Sequence, residues 1–174
     1  SRQLKELPIC INQRSDIQID EIRCDISLRR RQGKCSLAII DYLQLVNRDD
    51  KGQTPNEAIS NITRKAKITA MDEEIPIVLL CQLNRNCETR GTYSFRHQLS
   101  ALRDSGSIEQ DADIVLFLYR AAYYNAQNGE ENQANENEAE CIVAKNRHGE
   151  TSVVRLGWDG AHTRFSNLDV THEF

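Results

Sequence analysis

The sequence predicts an α/β fold: an open, mostly parallel sheet flanked by helices, with an antiparallel edge at its carboxyl end. Three observations carry this reading. Near-continuous apolar runs of strand length recur at residues 36–46, 76–82 and 113–119, as expected of central parallel strands covered on both faces. Stretches with helical periodicity precede the first two runs. Three shorter strand-like stretches then crowd the last 35 residues, which strand–helix alternation does not explain and an antiparallel edge does.

Taken in order, residues 7–12 (LPICIN) read as a short opening strand. Ile19, Ile22 and Ile26 then recur at helical spacing, with Asp20 and Glu21 in the first turn and Arg29, Arg30 and Arg31 in the last. Those charges complement the helix dipole, and Gly33 can take the left-handed position that ends the helix. Residues 36–46 (SLAIIDYLQLV) form the first central strand, and a polar loop, 47–53, follows. Thr54 can then be an N-cap, with Pro55 at the first helical position and Glu57 completing a capping box. Ile59, Ile62, Ala66 and Ala70 mark that helix's buried face. Residues 76–82 and 113–119 are the second and third strands. Residues 140–145, 151–156 and 163–165 are shorter ones, the first two joined as a hairpin through 146–150.

Composition narrows the function classes. At 174 residues and 39% hydrophobic content, the chain suits one α/β domain with a real core. No apolar run approaches the roughly 18–20 residues that span a bilayer, and the first residues lack a signal-like apolar segment, so no membrane partner is expected. The formal charge of −4 comes from 22 basic against 26 acidic residues. Five of those acids (Glu130, Glu131, Glu136, Glu138 and Glu140) lie in the Asn-rich stretch 125–140, which reads as an acidic flexible loop. The rest of the chain is nearly neutral, so a nucleic-acid partner stays open. Six cysteines contain no CxxC pair, and the four histidines do not cluster with them. A reducing cytoplasmic setting without a structural metal follows from that spacing.

In an open α/β sheet, ligands collect beyond the carboxyl ends of the strands, where Asp41, Gln82 and Lys145 fall. Asp41 follows the apolar residues 37–40, the Walker B pattern whose acid serves the Mg²⁺ of a nucleoside triphosphate. A strand-terminal Asp capping a turn has the same signature. Gln82, ending the second strand, can orient a water or sense a γ-phosphate, or be an ordinary polar terminus. From Arg85 to Gly106, Arg85, Arg90, Arg96 and Arg103 outnumber Glu88 and Asp104, with Tyr93 and Phe95 interleaved. Such a segment suits phosphate contacts and base stacking, and equally a solvated surface loop. Lys145 and Arg147 stand two residues apart on a tight turn. They suit a fork of charge offered to a neighbour's phosphate, or simply a solubilised hairpin tip.

The order of these signals is more specific than any one of them. The strings IIDYLQLV, LLCQLNR, LRDSGSIEQDADIV and KNRHG, in this order, closely resemble the RecA-like motor domain of bacterial replicative DNA helicases of the DnaB family. The resemblance runs from about residue 7 to 167, with LRDSGSIEQDADIV its most diagnostic part. It implies an ATP-dependent helicase that works as a homo-hexamer, moving 5′→3′ on single-stranded DNA and unwinding the duplex at the replication fork. ATP and Mg²⁺ would be its cofactors, primase and a helicase loader its partners, and the bacterial cytoplasm, at the nucleoid-associated fork, its place.

Residue by residue, the resemblance implies that Asp41 is the Walker B acid and metal-serving residue. Gln82 would be the switch that couples the γ-phosphate to the DNA loops. Arg103, Asp104 and Gly106 match the channel loop that grips the DNA backbone. Lys145 and Arg147 match the lysine and arginine fingers that reach ATP on the adjacent subunit. The family's P-loop, G-x-x-x-x-G-K-[ST], is not among the eight glycines, and the catalytic Glu beyond it is missing too. Residues 1–174 therefore read as the C-terminal portion of the motor domain, with the phosphate loop and N-terminal domain upstream, and the chain alone as inactive. A recombinase-type RecA-like ATPase and a non-enzymatic α/β binding module are the alternatives.

Overall fold

The computed structural model describes residues 7–47, 52, 54–82, 106–123 and 135–168. They fall into two compact units that divide between Ala112 and Asp113. The first holds helix α1 (Ile19–Arg31), strand β1 (Ala38–Ile40), a 3₁₀ turn (Leu43–Leu45), helix α2 (Pro55–Asp72), strand β2 (Ile77–Leu79) and the short helix α3 (Gly106–Asp111). The second holds strands β3 (Ile114–Tyr119), β4 (Glu138–Asn146), β5 (Ser152–Asp159) and β6 (Arg164–Asn167).

Local chemistry sets the helix ends as the sequence implies. Glu57 N–H donates to Thr54 Oγ1 at 3.3 Å, and Thr54 N–H donates back to Glu57 Oε2 at 2.7 Å, closing the capping box with Pro55 at the first helical position. That backbone N–H holds the Glu57 carboxyl below its ordinary pKa. Past α1, Gly33 adopts φ 67°, and its N–H and that of Lys34 bond the carbonyls of Arg30 and Arg29, both at 2.9 Å. An L side chain would oppose that left-handed turn.

Strands β1 and β2 pair in parallel, with Ile40 opposite Leu79. Helices α1 and α2 supply the core over one face. Ile19, Leu43, Val46, Ile62 and Ala66 are buried together, with Ile40, Leu79 and Ile108 packed against them. A second cluster joins Ile26, Cys35 and Ile75. Each large apolar side chain buried in this way contributes about 1.5–3 kcal/mol. Two threonines also lie on the buried face of α2. Thr69 Oγ1 donates to the Lys65 carbonyl at 2.7 Å, while Thr63 Oγ1 donates to Asp111 Oδ2 at 2.6 Å and so ties α2 to α3.

Several expectations change on contact with the structure. Residues 7–12 form no strand; Leu7, Ile9 and Ile11 are 50–75% exposed. An alternating apolar pattern becomes a strand only against a partner, and none pairs with it among the described residues. The run 36–46 yields only the three residues of β1, because the chain leaves the ladder after Ile40, through a cis Asp41–Tyr42 peptide, into the 3₁₀ turn. Its apolarity reports burial rather than strand geometry: Leu43, in the turn, is 1% exposed, whereas Ile39 and Val78, on the outer face of the pair, are 62% and 44% exposed. Strand β3, which alternation would align with the parallel pair, makes its ladder antiparallel to β4.

The second unit is a four-stranded antiparallel sheet in the order β3-β4-β5-β6. Val115, Ala139 and Ile142 are buried on it, while Ile114, Leu116 and Leu118 alternate outward. Of the acidic stretch 125–140, residues 125–134 lie outside the described residues and Glu138–Glu140 are already ladder residues of β4, opposite Gly157, Leu156 and Arg155.

Leu43 anchors the turn that follows β1. Truncation to alanine is expected to cost roughly 2–5 kcal/mol, transfer and cavity terms together. Urea denaturation followed by circular dichroism measures it; a cost below about 1 kcal/mol would mean that the turn is not held by packing.

Candidate active site

The carboxyl ends of β1 and β2 carry the first two candidate residues. Asp41 is the residue immediately after β1 and is exposed to solvent. The desolvation cost expected of a carboxylate in an apolar run therefore does not arise, since the strand edge is open. An exposed carboxylate is a hard oxygen donor, which suits Mg²⁺, an ion that keeps most of its own waters. Among the described residues no group of three or more His, Cys, Asp or Glu side chains gathers as a metal site.

The pairing of the strands continues past their ends. Leu80 N–H donates to the Ile40 carbonyl at 3.0 Å, and Leu43 N–H donates to the Leu80 carbonyl at 2.8 Å. Next comes Gln44, which the sequence reading passed over. Its Nε2 donates to the Gln82 carbonyl at 2.8 Å, and its Oε1 accepts from Gln82 N–H at 3.3 Å. The same Nε2 lies 3.4 Å from Cys81 Sγ. One side-chain amide thus holds both backbone groups of Gln82. Burial pushes the Cys81 thiol pKa up, against the Gln44 contact that lowers it, so the residue beside Gln82 stays a neutral thiol. The available signal was a lone amide among the apolar residues that follow Asp41, YLQLV.

Lys145 and Arg147 fall in the second unit, on one hairpin. Val115 faces Lys145, but Leu116 faces Val143, so Ala144 is an extra residue in β4. A bulge of this kind re-aims the side chains next to it. At the tip, Asn146 Oδ1 accepts from His148 N–H at 3.3 Å and its Nδ2 donates to the Glu150 carbonyl at 3.4 Å. A Cβ on Gly149 would stand 2.6 Å from that Nδ2, so a larger residue there would displace the Asn146 amide. Arg147 is exposed and doubly held by Asp113. Its backbone N–H donates to the Asp113 carbonyl at 2.9 Å, and its Nη1 donates to Asp113 Oδ1 at 3.2 Å. Such a half-exposed pair is worth at most about 1 kcal/mol, enough to bias the guanidinium without locking it.

The string LRDSGSIEQDADIV now divides by role. Asp111 ties α3 to Thr63, and Asp113 meets Arg147. Gly106 opens α3. Arg85, Arg90, Arg103 and Asp104 lie outside the described residues. At the other end of β5 from the hairpin, the Arg120 guanidinium lies 4.2 Å from the Trp158 ring centroid, and Trp158 packs against Phe165, its cross-strand partner, with ring centroids 4.7 Å apart and planes tilted by 57°. This cation–aromatic group also escaped the sequence reading, although the chain has a single tryptophan.

A family model described as "DnaB-like helicase C terminal domain" matches residues 1–167. The chain is 40% identical over 166 residues to a probable replicative DNA helicase of Trieres chinensis, covering 94% of this chain and 36% of that protein. It is 35% identical over 167 residues to the replicative DNA helicase DnaB of Geobacillus stearothermophilus, covering 95% and 35%. It therefore spans about a third of the length of these curated relatives. Among solved structures, a DnaB-like replicative helicase studied with its primase interactions matches at TM-score 0.85 and 33% identity, over 97% of this chain and 40% of that one. A second solved structure, described as an ATPase domain, matches at TM-score 0.84 and 33% identity, over 97% and 57%. With its strand-end Asp and Gln, its charged hairpin and this match along nearly its whole length, the chain belongs to the family of DnaB-like helicase C-terminal domains.

Proposed function

We propose that this chain is part of the motor of a ring-forming, ATP-driven replicative DNA helicase. The observation that carries the reading is the shared strand edge: Asp41 and Gln82 follow adjacent parallel strands whose register sets Ile40 opposite Leu79. Asp41 holds Mg²⁺, whose chemistry is to neutralise charge on the β- and γ-phosphates. Gln82 senses the γ-phosphate and passes its state to the DNA-facing segment with Arg85, Arg90, Arg103, Asp104 and Gly106. Those residues grip the single-strand backbone through charge and main-chain contacts. Lys145 and Arg147 act in trans, the hairpin of one subunit meeting ATP on the next. Family membership disfavours the recombinase-type and binding-module alternatives.

On this reading the assembly is a homo-hexamer that moves 5′→3′ on single-stranded DNA, meets primase and a loader, and works in the bacterial cytoplasm at the nucleoid-associated fork. Among the described residues no helix is long and apolar enough to cross a membrane.

Two measurements test the proposal on the full-length polypeptide. Arg147→Ala is expected to lower ATP turnover by about 10³-fold or more, the scale of an arginine finger, with nucleotide affinity nearly kept. Mixing Arg147→Ala subunits with Asp41→Ala subunits should return part of the activity, because some interfaces then pair an intact Asp41 with an intact Arg147. Turnover by Arg147→Ala alone at the wild-type rate contradicts the assignment. Arg103→Ala should weaken single-strand binding and reduce the slope of log affinity against log salt by about one unit. An unchanged slope removes Arg103 from the DNA path.

A further inference from the structure

We propose that Gln44 is the positioning residue for Gln82, setting the orientation from which Gln82 reads the nucleotide; this inference rests on Gln82 being the switch. The contacts are two hydrogen bonds from one amide to one residue's backbone, 2.8 Å to its carbonyl and 3.3 Å from its N–H. They substitute for a missing ladder. Once β1 turns away after Ile40, the backbone beyond Leu80 loses its neighbouring strand, and the Gln44 side chain supplies the donor and acceptor that a peptide would have given.

The support behind Gln44 is stiff. It sits in the 3₁₀ turn beside Leu43, which is 1% exposed in the core and bonded to the Leu80 carbonyl. With both backbone groups held, the Gln82 side chain moves only about its own torsions. Gln44 also lies three residues after Asp41, in the turn that follows β1. A displacement at the metal-serving end of β1 therefore reaches the Gln82 backbone through one side chain. Only a primary amide of this length fits. Methionine fills the space but offers neither bond. Glutamate keeps the acceptor and sets a carboxylate oxygen against the Gln82 carbonyl.

The test is steady-state ATP hydrolysis by the full-length polypeptide, with and without oligo-dT, for Gln44→Met, Gln44→Glu, Gln82→Ala and Gln44→Met/Gln82→Ala. Gln44→Met and Gln44→Glu should each lower the DNA-stimulated kcat about tenfold while KM for ATP stays within about twofold, as for a group that misplaces another. In the Gln82→Ala background, Gln44→Met should add no further loss. Stimulated turnover within about twofold of wild type for either Gln44 variant overturns the proposal, as do losses that multiply in the double variant. If Gln82→Ala itself keeps full stimulation, the switch reading fails and the proposal falls with it. Loss in Gln82→Ala with none in the Gln44 variants leaves the switch intact and removes only Gln44. Should Gln44→Met not fold, the Gln44→Glu arm decides alone.

Discussion

The parallel register of β1 and β2 is the constraint on which the first unit depends. Once Ile40 stands opposite Leu79, Asp41 and Gln82 must emerge on the same edge. A one-residue slip of β1 against β2 would turn over the slipped strand, exposing Ile40 and burying Ile39 in its place. The packing of Leu43 against Ile19, Val46, Ile62 and Ala66 opposes that slip. The hydrogen bonds from Leu43 to Leu80 and from Gln44 to Gln82 extend the pairing beyond the strands themselves. Hydrophobic burial dominates in magnitude; the polar clamp supplies direction.

The hairpin of the second unit solves a different problem. On the proposed reading this hairpin carries a finger for a neighbouring subunit, and such a group must stay exposed, so the core cannot hold it. Arg147 is instead steadied by a bulge at Ala144, a turn braced by the Asn146 side chain, and a weak ion pair to Asp113. Each contribution is small. Together they aim a long cation, and a pair this weak is what the proposed exchange of Asp113 for phosphate needs.

Legibility from sequence followed the range of the interactions. The cap of α2 was readable because Thr54, Pro55 and Glu57 settle it among themselves, and the end of α1 because Gly33 does so alone. The position of Asp41 directly after β1 was readable, whereas Gln82, read as closing the second strand, lies three residues beyond the end of β2 at Leu79. The length of β1 was not readable, since Leu43 and Val46 are buried for reasons of packing, and apolarity does not separate a turn from a strand. Nor were Gln44–Gln82, Thr63–Asp111 and Asp113–Arg147, whose partners are 34 to 48 residues apart. Composition and periodicity do not carry pairings at that distance.

Whether the strand edge responds to nucleotide is the most direct question left by this arrangement. Hydrogen exchange of the full-length polypeptide, with Mg²⁺ and a non-hydrolysable ATP analogue added or withheld, answers it. Slower exchange in peptides spanning residues 38–46 and 77–82 when nucleotide is present, lost in Asp41→Asn, is the expected result. Identical exchange in those peptides with and without nucleotide would contradict a role for Asp41 and Gln82 at the ATP site.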